Sequence, residues 1–465
     1  MSLHESRVFL VVAVLALSAC GSSGGRADTP AEFGPAAADT DGEVRLRILA
    51  NRPWKAPRSD FEVLLHGPDD RSIVARLRTD RNGELTVPVH AGGTVTLSYI
   101  RVTTVLSSNH GYDGQNWREE TQVVVLSRLR PGLVEVMHGP YYEEGCQATP
   151  AVDLLVRNLP PRSFEQREAG IRPDWMASAF ETIEDSQNSI IFGYRDECGG
   201  HLDRNGQLTL LVRERLEYHE SQSRDDAAGD WNYALFAGEA VTARQTISRS
   251  VERSVQVPAS SIGTRRANAA WSYMYANGEA MALGSRRGSH LETPATWPRG
   301  FSLVFAAGDY AQDFNDNINA DTRREFLERP QSWSYALPEF FLGRLALEPT
   351  SPGVLWQTQG GFPDLVKFDV YYFDHRQDIY AGEEEAVSWT IHAQASETSV
   401  PIPDLPEEHA HKYDVDRYPQ DTSVVGTLYD FPDVSSYPTA LTHLLGPEER
   451  ARRSVDTVYR QFETE

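Results

Sequence analysis

The stretch Thr79-Asp80-Arg81-Asn82-Gly83-Glu84-Leu85-Thr86-Val87-Pro88-Val89 decides the fold class. Leu85, Val87 and Val89 alternate with Thr86 and Pro88, the period of two that buries one face of a strand and leaves the other polar. Asn82-Gly83 stands between this run and Ile73–Arg78, and both residues tolerate positive φ, so the pair predicts a type I′ hairpin. Pro88 has no N–H to donate and predicts a strand at a sheet edge or ending there. Val44, Leu46 and Ile48 alternate with Arg45 and Arg47, and Val95, Leu97 and Tyr99 with Thr94, Thr96 and Ser98. The expectation is a mainly β protein of tandem antiparallel β-sandwich domains.

Parts of the pattern recur. Asp203-Arg204-Asn205-Gly206-Gln207-Leu208-Thr209 repeats Asp80–Thr86, and Val152…Asn158-Leu159-Pro160 repeats Val44…Asn51-Arg52-Pro53. Two readings compete: a duplicated sandwich module, or coincidence in a turn-rich composition. The duplication places module 1 over 43–137 and module 2 over 146–257. Residues 43–137 resemble the carboxypeptidase regulatory-like sandwich, of immunoglobulin- or prealbumin-like form, through Thr79–Val89 and Gly92-Gly93-Thr94-Val95-Thr96-Leu97. That resemblance implies a spacer or binding module and carries no catalytic residues.

A third β-rich domain is expected over 258–440. Val366, Phe368, Val370 and Tyr372 alternate there, as do Val387, Trp389, Ile391 and Ala393, with a short helical insertion expected from Thr322 to Glu328. The final stretch, 447–463, reads as an amphipathic helix. Pro447 sits in its first turn, Glu448 and Glu449 at the positive end of its dipole, and Ala451, Val455, Val458, Tyr459 and Phe462 on one face.

The start of the chain carries a separate message. His4 and Arg7 precede an apolar run from Val8 to Leu17, which is too short for a hydrocarbon core that needs ~20 residues. It reads as the apolar region of a cleaved signal peptide, residues 1–19. Leu17-Ser18-Ala19-Cys20-Gly21 resembles the lipobox of bacterial lipoproteins. The resemblance implies a diacylglycerol on the Cys20 sulfur, cleavage before Cys20 and acylation, typically palmitate, of the new amino group. Two or more acyl chains give stable anchoring. Gly21, rather than Asp, looks like the pattern sorted to the outer membrane. Residues 20–42 are rich in Gly, Ser, Ala and Pro and read as a flexible tether.

The 465 residues carry a formal net charge of −23. Such a chain repels nucleic acid and lies poorly on anionic lipid, so the membrane partner is reached through the anchor alone. Lys occurs only at 55, 367 and 412. With Cys20 lipidated, Cys146 and Cys198 remain; in an oxidising compartment they pair, or they stand as two separate buried thiols.

No G-x-S-x-G, H-E-x-x-H, Walker or G-x-G-x-x-G motif is present. Asp313, Asn315, Asn317, Asn319 and Asp321 form an oxygen-rich run suited to calcium, or an Asn/Asp-rich turn. It lacks the EF-hand Gly, having Ile318, and the closing Glu, having Arg324. His409 and His411 would share a side, and a metal, if their segment were extended. Glu383-Glu384-Glu385 offers carboxylates for glycan hydrolysis, or a solvated turn. Trp271, Tyr273, Tyr275, Trp333 and Tyr335 offer rings for sugar stacking, or core filling. Two functions follow from these readings: a non-catalytic envelope lipoprotein binding a protein or glycan, and an envelope-facing glycan hydrolase.

Overall fold

In a computed structural model the described residues are 42–50, 56–90, 92–106, 117–138, 152–157, 180–185, 189–194, 207–215, 231–239, 245–250, 252–276, 279–286, 290–297, 301–309, 318–348, 350–372, 386–413, 422–432, 434, 436–446 and 454–462. The first strands are β1 (Gly42–Ala50), β2 (Glu62–His66), β3 (Ile73–Arg78), β4 (Glu84–Val89), β5 (Val95–Leu106), β6 (Trp117–Leu129) and β7 (Gly132–His138). Next come β8 (Val152–Arg157), β9 (Phe180–Asp185), β10 (Ser189–Tyr194), β11 (Gln207–Arg215), β12 (Trp231–Glu239) and β13 (Gln245–Ser250). Then follow β14 (Glu252–Ser261), β15 (Ala269–Ala276), β16 (Glu279–Arg286), β17 (His290–Pro294), β18 (Ser302–Asp309), β19 (Ile318–Phe326), β20 (Trp333–Tyr335), β21 (Phe341–Leu347) and β22 (Gly353–Gln359). The chain continues through β23 (Leu365–Tyr372), β24 (Ala386–Gln394), β25 (Ser399–Pro401), β26 (Thr422–Asp430), helix α1 (Tyr437–Leu445) and β27 (Val455–Phe462). The protein is mainly β, as the alternation predicts, and no helix among the described residues is long and apolar enough to cross a membrane.

A twelve-stranded sheet runs β16-β15-β18-β19-β27-β26-β23-β24-β6-β5-β2-β3 among the described residues. It joins strands from both ends of the sequence, and the junction is the parallel pairing of β24 with β6. Its two faces are covered in different places. On the back, Val366, Phe368, Val370 and Tyr372 of β23 and Val387, Trp389, Ile391 and Ala393 of β24 are buried against β21 and β22, through Leu342, Leu345, Val354 and Trp356. The Trp389 indole N–H donates to the Pro403 carbonyl at 3.2 Å, so this large ring is buried without an orphan donor. On the front, at the β5–β6 end, Leu97, Tyr99, Val124 and Leu126 meet β1, β4, β7 and α1 through Leu46, Val87, Val134 and Leu441.

The sheet order β4-β1-β7 puts β4 at an edge, as Pro88 requires. The second segment has a related arrangement. β8 is flanked by β10 antiparallel and β13 parallel, as β1 is by β4 and β7. The repeated turn at Asn205-Gly206 lies outside the described residues.

The turn at Asn82-Gly83 is tight, but it is no hairpin: β3 pairs with β2, and β4 pairs with β1 in the other sheet. Only Gly83 has positive φ, at 72°. The Gly83 N–H donates to the Asp80 carbonyl, and Asp80 Oδ1 accepts from the N–H groups of Asn82 and Glu84, both at 2.8 Å. A Cβ on Gly83 would stand 2.4 Å from the Ile48 carbonyl oxygen. The turn therefore carries the chain from one sheet to the other over the end of β1.

Two helical expectations are corrected. Thr322–Glu328 begins inside β19, where Thr322 and Arg324 point to one side and reach Asp456 on β27. Of the stretch 447–463, the described residues 454–462 carry β27 rather than a helix. The strand lies between β19 and β26 and completes both ladders. Val, Thr and Tyr suit that place, and two flanking strands satisfy more backbone than a terminal helix would. The helix near the C-terminus is α1, just upstream. Its Ser436 cap accepts from the Thr439 N–H, and it buries Tyr437, Pro438, Ala440 and Leu441.

Candidate functional site

Beyond the part covered by β1, β4, β7 and α1, the front face of the large sheet turns polar and tyrosine-rich. Register places Gln122, Thr390, Asp369 and Thr427 on it, with Lys367 between them. The same face continues through Tyr429, Thr457, Tyr459, Asn319, Asp321 and Arg323. It ends on β15 with Tyr275, Tyr273 and Trp271. The opposite residues of the same strands, such as Phe368, Val458 and Met274, are buried.

A hydrogen-bonded chain crosses the middle. Gln122 Nε2 donates to Thr390 Oγ1 at 3.0 Å, Thr390 Oγ1 donates to Asp369 Oδ1 at 2.9 Å, and Lys367 Nζ sits 2.6 Å from Asp369 Oδ2. Burial lowers the Lys367 ammonium, but Tyr429, Asp369 and Tyr371 outweigh it and hold the group above its ordinary value. Burial raises the Tyr459 phenol, with Asp369 adding to the rise and Lys367 opposing it.

A second centre lies toward β15. Arg323 Nη2 is 3.0 Å from Asp321 Oδ2. Burial pulls the guanidinium down, while Asp321, Tyr275 and Tyr273 raise it further than burial lowers it. Burial raises the Tyr273 phenol against the opposing charge of Arg323. Between β15 and β19, strand β18 presents small residues, Ala306 and Gly308 with Val304, to the same face. Trp271, Ala306 and Arg323 stand abreast, as do Tyr273, Val304 and Glu325. Rings thus stand on one side of β18 and an amide, carboxylates and a guanidinium on the other, with Val304 and Ala306 buried between them. On the opposite face, Phe305, Leu303 and Met274 pack on Val257, Leu291 and Trp333.

The sequence candidates fall in different places. Cys20, Cys146, Cys198, Asp313, Asn315, Asn317 and Glu383–Glu385 lie outside the described residues. Asn319 and Asp321 belong to a strand rather than a loop, and Asp321 is engaged by Arg323. At the other end of that acidic run, Asp309 is engaged by Arg265 at 2.9 Å. Among the described residues no group of three His, Cys, Asp or Glu is placed to hold a metal. The extended geometry expected for His409 and His411 is replaced by a 3₁₀ turn, Glu407–Lys412. Residues two apart diverge there, so the two rings do not share a side. Of the aromatics, Trp333 fills the core and Tyr335 packs beside it, whereas Trp271, Tyr273 and Tyr275 share the front face. Lys367, Asp369, Gln122 and Thr390 were not singled out by sequence. Their signal is weak: they are the polar positions of otherwise apolar alternating strands.

No family model and no curated protein matches the chain. A solved structure, "The Bacillus anthracis TIE protein", aligns with it at 8% identity and a TM-score of 0.14, covering 64% of this chain and 50% of that one. This chain thus spans about half the length of that protein, and at such a score the alignment implies neither a shared fold nor a shared activity.

Proposed function

We propose that this chain is a lipid-anchored protein of the bacterial envelope, held at the outer membrane, that binds a protein or glycan without chemistry. The observation that carries the anchoring is Leu17-Ser18-Ala19-Cys20-Gly21 directly after the apolar run Val8–Leu17. The tether from 20 to 42 then holds the β-rich body close to the bilayer without inserting it. The polar front face supports the binding role. Its carboxylates Asp321 and Asp369 are each held by an adjacent cation, which suits a fixed recognition surface better than a proton-transferring pair. A net charge of −23 sets nucleic acid aside as the partner.

The test is fractionation of cells producing the native chain and Cys20→Ala. The native chain partitions with the outer membrane and takes up labelled palmitate; the variant does neither. Retention of Cys20→Ala in the membrane at the native level overturns the anchor.

A further inference from the structure

We infer that the end of the β-rich body at which the chain enters from its anchor is a membrane-contact surface, with apolar loops resting in the headgroup region of the bilayer. This rests on the lipid anchor argued above and adds a second contact to it. Topology, exposure and the length of the connecting chain carry the inference.

The topology gathers three connections at one end. β26, β23, β24 and β6 are neighbours in the large sheet; β26, β24 and β6 end here, and β23 begins here. Leu365, the first residue of β23, stands between Gln394 and Tyr429. Neighbouring strands lie about 4.8 Å apart, so these four strand ends span about 14 Å. β7 follows β6 after a short turn, and β1 starts beside it, with Val44 opposite Gly132. Gly42 packs so closely on the Pro131 ring that a Cβ would stand 2.6 Å from its Cγ. A Cβ on Gly132 would stand 3.2 Å from Pro438, at the start of α1. The chain therefore enters the body beside the β6–β7 turn, the β26–α1 connection and the approach to β23.

These connections present apolar side chains. Phe362, just before β23, keeps 56% of its surface exposed, and Leu133, the second residue of β7, keeps 41%. Pro131 and Pro432 are exposed in the same connections. Asp364 is buried, and its Oδ2 accepts from the Phe431 N–H at 2.9 Å. The segment carrying Phe362 is thus held by its polar residue and presents its apolar one. Arg128, at the end of β6, is matched by Asp70 and Glu397. An aromatic ring and aliphatic side chains at loop tips suit the boundary between headgroups and acyl chains.

The connecting chain makes weak contacts sufficient. From Cys20 to Gly42 there are ~22 residues, which at the composition of a flexible linker span about 25 Å r.m.s.. Anchoring over that length sets a high effective concentration, so contacts too weak to recruit a free protein hold a tethered one. The net charge of −23 opposes approach to anionic lipid, which is why charge alone leaves the anchor as the sole membrane contact. An apolar contact escapes that penalty on zwitterionic lipid.

Photocrosslinking of the full-length lipidated protein in phosphatidylcholine vesicles tests this. The photoreactive residue p-benzoylphenylalanine replaces Phe362, Leu133, Tyr371 or Val102, one at a time. All four are exposed, but Tyr371 and Val102 lie six and seven residues along β23 and β5 from this end, about 20 Å away. Positions 362 and 133 are expected to give lipid adducts on the order of tenfold more often than 371 and 102. Replacing a third of the lipid with phosphatidylglycerol lowers the yield at 362 in low salt, and about 0.5 M sodium chloride restores it. Equal yields at all four positions overturn the contact surface, as does absence of adduct at 362. A protein–protein adduct at 362 in place of the lipid adduct also overturns it and gives the loops to a second copy of the chain. Flotation of each sample with the vesicles reads the anchor separately. Protein that floats without lipid adducts at 362 leaves the anchor standing and removes only the loop contact.

Discussion

Arg128 and Asp70 both hold left-handed backbone, at φ 49° and 56°, and their side chains meet at 2.7 Å between Nε and Oδ2. The same guanidinium reaches Glu397 Oε2 at 3.1 Å, and Thr96 Oγ1 donates to Asp70 Oδ1 at 2.6 Å. Arg71–Asp404 and Arg76–Glu408 lie nearby. This cluster fastens the β2–β3 turn to the segment after β24, where early and late parts of the chain meet.

Arg128→Ala keeps the unfavourable φ and removes both ion pairs. It is expected to lower stability by about 2 kcal/mol in urea denaturation. Arg128→Gly removes the same pairs but accepts the backbone, so it falls short of the alanine variant's loss by about 1 kcal/mol. A glycine variant less stable than the alanine variant contradicts the strained geometry.

Gly83→Ala combines a positive φ with a Cβ placed against the Ile48 carbonyl, and neither can relax without moving β1. The expected loss is about 3 kcal/mol. Gly426→Ala, by contrast, meets the flexible Leu342 Cδ1, and about 1 kcal/mol is expected because a side chain can yield where backbone cannot. Denaturation midpoints that reverse this order contradict the packing described.

His138 packs against Phe61 and Tyr99, with ring centroids 4.5 and 5.4 Å away, and its pKa falls to about 4, chiefly through burial and then through Arg58 and Arg101. The folded state keeps this ring neutral below its ordinary value of 6.5, while the unfolded chain takes up a proton. Stability therefore falls as pH drops from 6.5 toward 4, by about 3 kcal/mol in all. His66, lowered by burial, acts in the same direction. His138→Phe should flatten the slope over that range. An unchanged slope in that variant assigns the effect elsewhere.

The two remaining cysteines make a separate test. A Cys146–Cys198 bridge closes a loop of about 50 residues and contributes about 4 kcal/mol in the chain-entropy model. Non-reducing peptide mapping is expected to recover the two peptides linked; free thiols at both positions refute the bridge.

Strand content was legible in the sequence because burial of one face repeats every second residue. Val366–Tyr372 and Val387–Ala393 form buried faces of β23 and β24 as their alternation predicts. Pairing was less legible. Asp80–Glu84 specifies a tight turn through local hydrogen bonds, but whether β3 and β4 then pair depends on β1 and β2, which compete for them from elsewhere in the chain. The end of the chain shows the same limit. Val455, Val458 and Phe462 fit a helical stripe, yet the open edges of β19 and β26 take this segment as a strand. The ring-bearing end of the polar face was half legible. Its rings stand together in sequence as Trp271-Ser272-Tyr273-Met274-Tyr275, but Arg323 and Ala306 join them only through the sheet register.

The lipobox reading requires the mature chain to begin at a lipidated Cys20. Mass spectrometry of the N-terminal peptide from membrane-purified protein tests it most directly. The predicted result is a peptide starting at Cys20 that carries a thioether-linked diacylglycerol and an acylated amino group. A peptide that starts at Met1, or a Cys20 bearing a free thiol, would contradict the claim.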